Sequence, residues 1–253
     1  MNKIRRLPYR DPFGNPLWAK RMVIFCFGTV TWYRLNHIHR TKVEGMEHLK
    51  NLPNQNVLFV SNHQTYFMDV ASMFLVFMHL RNGMPNRVNR WWPVMNPRMN
   101  LFFIAAKETM KSGPLPRLLA LAGSVSIKRT WREAGQEINR GVDPKDLEGI
   151  RKAIQAGWVI TFPQGTTKPY APGRRGTAHI IRDLNPIVVP VVVDGFRRGF
   201  DKKGLRVKKR RTELTIRFKE PMQFAEDSTP QQILEQVMAA IEQVPPPESL
   251  VNA

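Results

Sequence analysis

Short apolar, β-branched runs alternate with helix-period stretches along most of the chain. Residues 56–61, 124–128, 158–162, 187–193 and 213–218 are each apolar enough to be strands of a sheet covered on both faces. Helices fall between them. Asp143, Pro144 and Gly157 supply the cap, first-turn proline and stop of a helix over 144–156. Thr229 and the prolines at 245–247 bound a second, over 230–243. Residues 69–80 and 115–121 are apolar all round, which predicts buried helices. The alternation predicts an α/β fold: a single domain with a mostly parallel or mixed sheet flanked by helices.

Ahead of the first strand, residues 22–33 form an apolar run with Trp18, Trp32 and Tyr33 at its ends and Lys20, Arg21 and Arg34 outside them. Twelve helical residues rise about 18 Å, short of a hydrocarbon core of about 30 Å. Aromatic ends and outer cations fit a helix lying in the interface of an anionic membrane. The bulky Trp32-Tyr33-Arg34 is no signal-peptidase site. The expected organisation is a basic N-terminal segment with a membrane-associating helix (1–40), an α/β domain (41–244) and a loose tail (245–253).

Charge sharpens the picture. Against 20 Asp and Glu stand 39 Lys and Arg in 253 residues, a net charge of +19 and a pI near 10.7. The 42% hydrophobic content excludes a disordered polycation, so a folded basic protein needs an anionic partner. A single cysteine, Cys26, excludes a disulfide framework and fits a reducing compartment. Residues 197–211 hold nine basic side chains and one acid. Anionic lipid, an acidic carrier protein or a solvated hairpin each accounts for that stretch. Nucleic acid is not expected, because aromatics that would stack on bases are not interleaved with the cations.

Polar residues that a core would reject gather after three strands, where open α/β sheets hold their ligands. After the first comes Asn62-His63-Gln64-Thr65-Tyr66-Phe67-Met68-Asp69. A His with an Asp to orient it is a general base; the same spacing also suits a capping Asp and a His bonded to backbone. After 124–128 comes Arg129, a fork for phosphate or carboxylate, or a partner for Glu133. After 158–162 comes Pro163-Gln164-Gly165-Thr166-Thr167-Lys168, then Gly173-Arg174-Arg175-Gly176. Its constrained loop and three cations suit an anion. The other histidines, His37, His39, His48, His79 and His179, show no ligand spacing, and no metal is expected.

Taken together, these loops resemble the lysophospholipid acyltransferase family over roughly residues 41–224. Lys42-Val-Glu-Gly-Met-Glu-His-Leu49 is similar to the strand and turn before the family's first block, and Ser61-Asn62-His63 with Asp69 to that block. Lys107-Glu108, Gly123 and Ile127-Lys-Arg129 resemble the second, Phe162-Pro-Gln-Gly-Thr166 the third, and Ile187-Val-Val-Pro-Val-Val192 the fourth. The chain departs from the pattern in three places. Five residues, not four, separate His63 from Asp69, so the loop must bulge. Gln164 replaces a Glu, which leaves a bracing role but no acid or base. Thr167 replaces an Arg.

The resemblance implies transfer of an acyl group from acyl-CoA or acyl-carrier protein to a lyso-lipid hydroxyl, with 1-acylglycerol-3-phosphate as acceptor and phosphatidic acid as product. His63 and Asp69 would be catalytic. Arg129, Gln164, Gly165, Thr166, Lys168, Arg174 and Arg175 would bind substrate, with no bound cofactor, at the cytoplasmic face of the membrane. A Met/Phe-rich set (Phe67, Met68, Met73, Phe74, Phe77, Met78, Met95, Met99, Phe102, Phe103) offers an acyl-chain wall or ordinary core. The departures leave room for a different acceptor, such as an acylated amino acid, or for a membrane-binding relative with a disabled dyad.

Overall fold

A computed structural model describes residues 10–84, 88–97, 100–128 and 143–245, with the backbone of 132–133 and 136–137. Arg129 and Met99 lie outside the described residues, as do most of the predicted tail and the first nine residues.

The chain opens with helix α1 (Leu17–Tyr33), which runs through a π-helical turn into strand β1 (Arg40–Glu44). Strand β2 (Val57–Ser61) leads to helix α2 (Met68–Arg81). Next come β3 (Leu101–Ala106), α3 (Lys107–Lys111), α4 (Pro114–Ala120) and β4 (Ser124–Ile127). A small hairpin, β5 (Arg132–Glu133) and β6 (Gln136–Glu137), precedes α5 (Pro144–Ala156) and β7 (Trp158–Thr161). Helix α6 (Arg175–Leu184), β8 (Ile187–Asp194), α7 (Phe196–Gly199), β9 (Glu213–Phe218) and α8 (Pro230–Ala240) complete the described chain.

Seven strands form one mixed sheet in the order β1-β9-β8-β2-β7-β3-β4. Only β8 and β9 pair antiparallel in it, so β8, β2, β7, β3 and β4 all end at the same edge. Side chains alternate between its two faces, as strand geometry requires. Phe59, Phe103 and Trp158 join the core under α1 and α2, while Leu58, Phe102 and Val159 join the core under α5, α6 and α8. Asp143 caps α5 through the Lys145 amide, and Thr229 with Gln232 forms a capping box on α8.

Strand β3 is absent from the sequence reading, which treats Phe102 and Phe103 as one wall. Buried between β7 and β4 and passing into α3 with no intervening turn, it lacks both alternation and punctuation. Helix α1 shares the core through Val23 and Ile24 while leaving Trp18 70% exposed, with Met22, Phe25, Val30 and Tyr33 also outside. No helix among the described residues is long and apolar enough to cross a membrane. The predicted cations around this helix behave differently from one another. Arg21 is exposed, but Lys20 is buried, donating to Leu101 O at 2.7 Å over the Phe102 ring. Burial pushes its ammonium down to about 8 against the pull of Asp11. Arg34 donates to Gly204 O and Leu205 O.

Candidate active site

Loops after β2, β7 and β8 meet where these adjacent strands end. Asn62 extends the β2–β8 ladder with its side chain: Nδ2 donates to Val193 O at 2.9 Å and Oδ1 accepts the Val193 amide at 2.8 Å. A buried carboxamide thus stands in for one more residue of strand and fixes where His63 leaves the sheet.

His63 Nδ1 lies 3.1 Å from Asp69 Oδ2, and Asp69, in the first turn of α2, is fully buried. Four donors converge on this carboxylate. Besides the imidazole, it accepts the amides of Gln64 and Thr65 at 2.6 and 3.0 Å and the Thr65 hydroxyl at 2.6 Å. The positive end of the helix adds to their stabilisation of the anion. With Asp69 accepting at Nδ1, the ring leaves Nε2 as its basic nitrogen.

The extra residue between His63 and Asp69 is absorbed by the bulge expected of it. Amides 64 and 65 turn inward to Asp69, and those of Tyr66 and Phe67 turn outward to Lys202 O and Lys203 O at 3.0 and 3.1 Å. The four amides of residues 64–67 are therefore all matched. Gly204, at φ +76°, makes the close approach possible, because a Cβ there would lie 2.8 Å from Met68 N.

Phe162, the residue after β7, stacks on the imidazole with centroids 3.9 Å apart. Gln164 is buried and donates to Ala171 O at 2.9 Å and to Gln243 Oε1 at 3.1 Å. The Gly165 amide is occupied by Phe162 O at 3.0 Å, whereas the Thr166 amide has no acceptor among the described residues. Lys168, Arg174 and Arg175 are exposed along this loop and the start of α6, and the Arg174 amide donates to Pro163 O. Lys128, beside Arg129, is held by α5: its amide donates to Asp146 Oδ2 at 2.7 Å and its ammonium lies 3.5 Å from Asp143. That corner belongs to β4, separated from β2 by β7 and β3.

An apolar cavity of about 150 Å³ opens beside the loop after β2, between α1 and α2. Phe67, Met68, Phe74, Met78 and Phe103 of the predicted wall line it, together with Val23, Phe27 and Val30 of α1. Met73 and Phe77 are core, Met95 is exposed, and Phe102 lies across the sheet. Of the remaining histidines, His79 bonds the carbonyls of Leu75 and Arg90, and burial lowers its pKa. No cluster of His, Cys, Asp or Glu among the described residues could hold a metal.

A profile of the acyltransferase family matches residues 40–194, which take in β1, the His63–Asp69 pair and the loops after β2 and β7. The chain belongs to the acyltransferase family. No curated protein matches this acyltransferase. Among solved structures, it is similar to the 1-acyl-sn-glycerophosphate acyltransferase PlsC of Thermotoga maritima. The TM-score is 0.55 at 16% sequence identity, over 88% of this chain and 77% of that one. At that identity the likeness is one of fold.

Sequence reasoning missed Asn62, Thr65, Phe162 and Arg197 as positioning groups of the acyltransferase. The Arg197 guanidinium donates to Thr167 O at 2.7 Å and its amide to Gln64 Oε1 at 3.0 Å. An arginine therefore does stand against the third loop, supplied by α7 instead of by position 167. Nothing local in the run 197–211 distinguishes it from its neighbours.

Proposed function

We propose that this acyltransferase moves a fatty acyl group from a thioester, acyl-CoA or acyl-carrier protein, to the free hydroxyl of 1-acylglycerol-3-phosphate, giving phosphatidic acid. The observation that carries the reading is the His63–Asp69 contact in a loop whose Tyr66, Phe67 and Met68 line an apolar cavity, with cations on the adjoining loop. A cavity of that size admits a benzene-sized group, enough for the leading methylenes of a chain whose remainder follows α1.

Nε2 of His63 takes the hydroxyl proton as the oxygen attacks the thioester carbon, and Asp69 stabilises the imidazolium that forms. The tetrahedral intermediate collapses with cleavage of the C–S bond, and the imidazolium returns its proton to the departing thiolate. General-base assistance of this kind contributes about 10²–10⁴ in rate. The Thr166 amide is the oxyanion donor, since that of Gly165 is already bonded. Lys168, Arg174, Arg175 and Arg197 hold the anionic headgroup. Exposed Trp18, Met22, Phe25 and Tyr33 seat α1 in the cytoplasmic face of the membrane.

Purified protein assayed with both donors against a panel of lyso-lipids tests the reading. Transfer to 1-acylglycerol-3-phosphate that His63→Ala abolishes is the expected result. Turnover unaffected by His63→Ala overturns the mechanism, and acylation of amino-acid lipids alone overturns the acceptor. Vesicle binding without turnover of any pair makes the protein a non-catalytic relative.

A further inference from the structure

Residues 197–211 do not form a slack basic loop. Phe200 bridges Val207 antiparallel, the Asp201 amide donates to Arg206 O at 2.9 Å, and Lys208 N donates to Gly199 O at 2.8 Å. At its base the hairpin is tied by the Arg211 amide to Ile38 O, and at its tip by Lys202 O and Lys203 O to the catalytic loop. Its one acid points inward: Asp201 Oδ1 accepts the amides of Leu205 and Arg206 at 2.7 and 3.0 Å. The cations point outward. Lys202, Lys203, Arg206 and the run 208–211 are all exposed, and among the described residues only Arg198 in this stretch is ion-paired, to Asp194.

We propose that this hairpin is the docking surface for an acidic acyl-carrier protein. The inference rests on the acyltransfer reading above and goes past it in choosing the donor. Gly204 and Leu205 at the hairpin tip line the cavity together with Tyr66, Phe67 and Met68. An acyl chain lying in that cavity touches the hairpin tip, so the hairpin adjoins the bound donor. The surface there is cationic, ordered and in backbone contact with the catalytic loop.

Its extent and composition choose the occupant. A hairpin arm of four residues is about 13 Å long, comparable to two turns of an acidic helix at about 11 Å. Cations lie from tip to base, more than one nucleotide's phosphates would engage. The hairpin's own apolar residues are tucked in, Phe200 fully and Leu205 and Val207 in part, so it offers charge without an inserting side chain. Exposed aromatics suited to a bilayer sit on α1 and at Trp91 and Trp92 instead. Opposed charge on preformed surfaces accelerates encounter and holds register while little ordering is required on binding.

The test is the triple charge reversal Arg206→Glu, Lys209→Glu and Arg210→Glu in the whole chain, assayed with acyl-carrier protein and with acyl-CoA. We expect kcat/KM for the carrier to fall by about 30-fold or more, its steep salt dependence to flatten, and kcat/KM for acyl-CoA to change by less than about 3-fold. Binding of fluorescent holo-carrier to the His63→Ala protein should show the same loss, a readout independent of turnover. Equal losses with both donors would overturn the proposal, as would unchanged carrier kinetics accompanied by lost binding to anionic vesicles. A wild-type protein that uses acyl-CoA but neither binds nor uses the carrier overturns it while leaving acyl transfer intact. Carrier binding without transfer from either donor overturns acyl transfer instead.

Discussion

The Phe162 ring lies face to face with the His63 imidazole, 3.9 Å between centroids and 21° from parallel. The two residues come from the ends of adjacent strands, β2 and β7, so the sheet itself brings them together. One edge of the imidazole is fixed by Asp69 and one face by Phe162, which leaves a single orientation for the ring.

Removing either restraint should separate chemistry from stability. His63→Ala is expected to lower kcat by about 10²–10⁴ with little change in Tm. Phe162→Ala frees the ring without removing it and should cost kcat about tenfold, a misplaced base being less effective than a positioned one. Asp69→Asn lowers both kcat and Tm, since an amide cannot accept from four donors. Steady-state kinetics and thermal melts on the three variants check this.

Gln164→Glu restores the residue seen in the resembling family and should harm this protein. The Gln164 amide nitrogen faces two acceptors, Ala171 O and Gln243 Oε1. A carboxylate there has no proton to offer and sits buried against oxygens. The expected destabilisation is about 1–3 kcal/mol, read as a lower urea midpoint at unchanged m-value. Gln243→Lys in the same chain should recover part of it.

Lys20 predicts a rise of stability with alkaline pH. Its folded pKa is lowered from 10.5 to about 8, so between those values the unfolded chain binds more protons than the folded one. Stability then increases through that window. A shift of this size corresponds to on the order of 3 kcal/mol at most. Urea denaturation between pH 7.5 and 10 should show the increase in the wild type and a flat profile for Lys20→Met.

Trp18→Ser with Phe25→Ser should leave the fold intact, because both side chains are exposed, and weaken sedimentation with anionic vesicles by about tenfold or more, as loss of buried aromatic area predicts. Val23→Ser, on the packed face of the same helix, should lower Tm instead. Similar effects on both faces would remove the membrane role assigned to the outer one.

The five strands predicted from β-branched runs are present within one residue at either end, and so is the helix over 144–156, whose boundary signals are local. Helix α8 shows where local signals stop. Its capping box is in the sequence, but it ends at Ala240, and the chain turns through Glu242 at φ 58° so that Gln243 Oε1 reaches Gln164 and the Tyr170 amide. Gln243 is drawn out of the helix by a partner 79 residues away. The site divides in the same way. His63 and Asp69 stand out as residue types, but the carbonyls that hold their bulged loop belong to Lys202 and Lys203, side chains legible only as charge. Arg197 is equally invisible until α7 turns it toward Thr167.

Asn62 and Val193 exchange two hydrogen bonds across 131 residues of sequence. Closing a loop of that length costs entropy before any contact repays it, and folding rate falls as such pairings dominate. The amide rung between β2 and β8 therefore closes only against that entropy, and it sets where the imidazole beyond it leaves the sheet. During synthesis, β8 must emerge before Asn62 can close the rung from which His63 leaves the sheet.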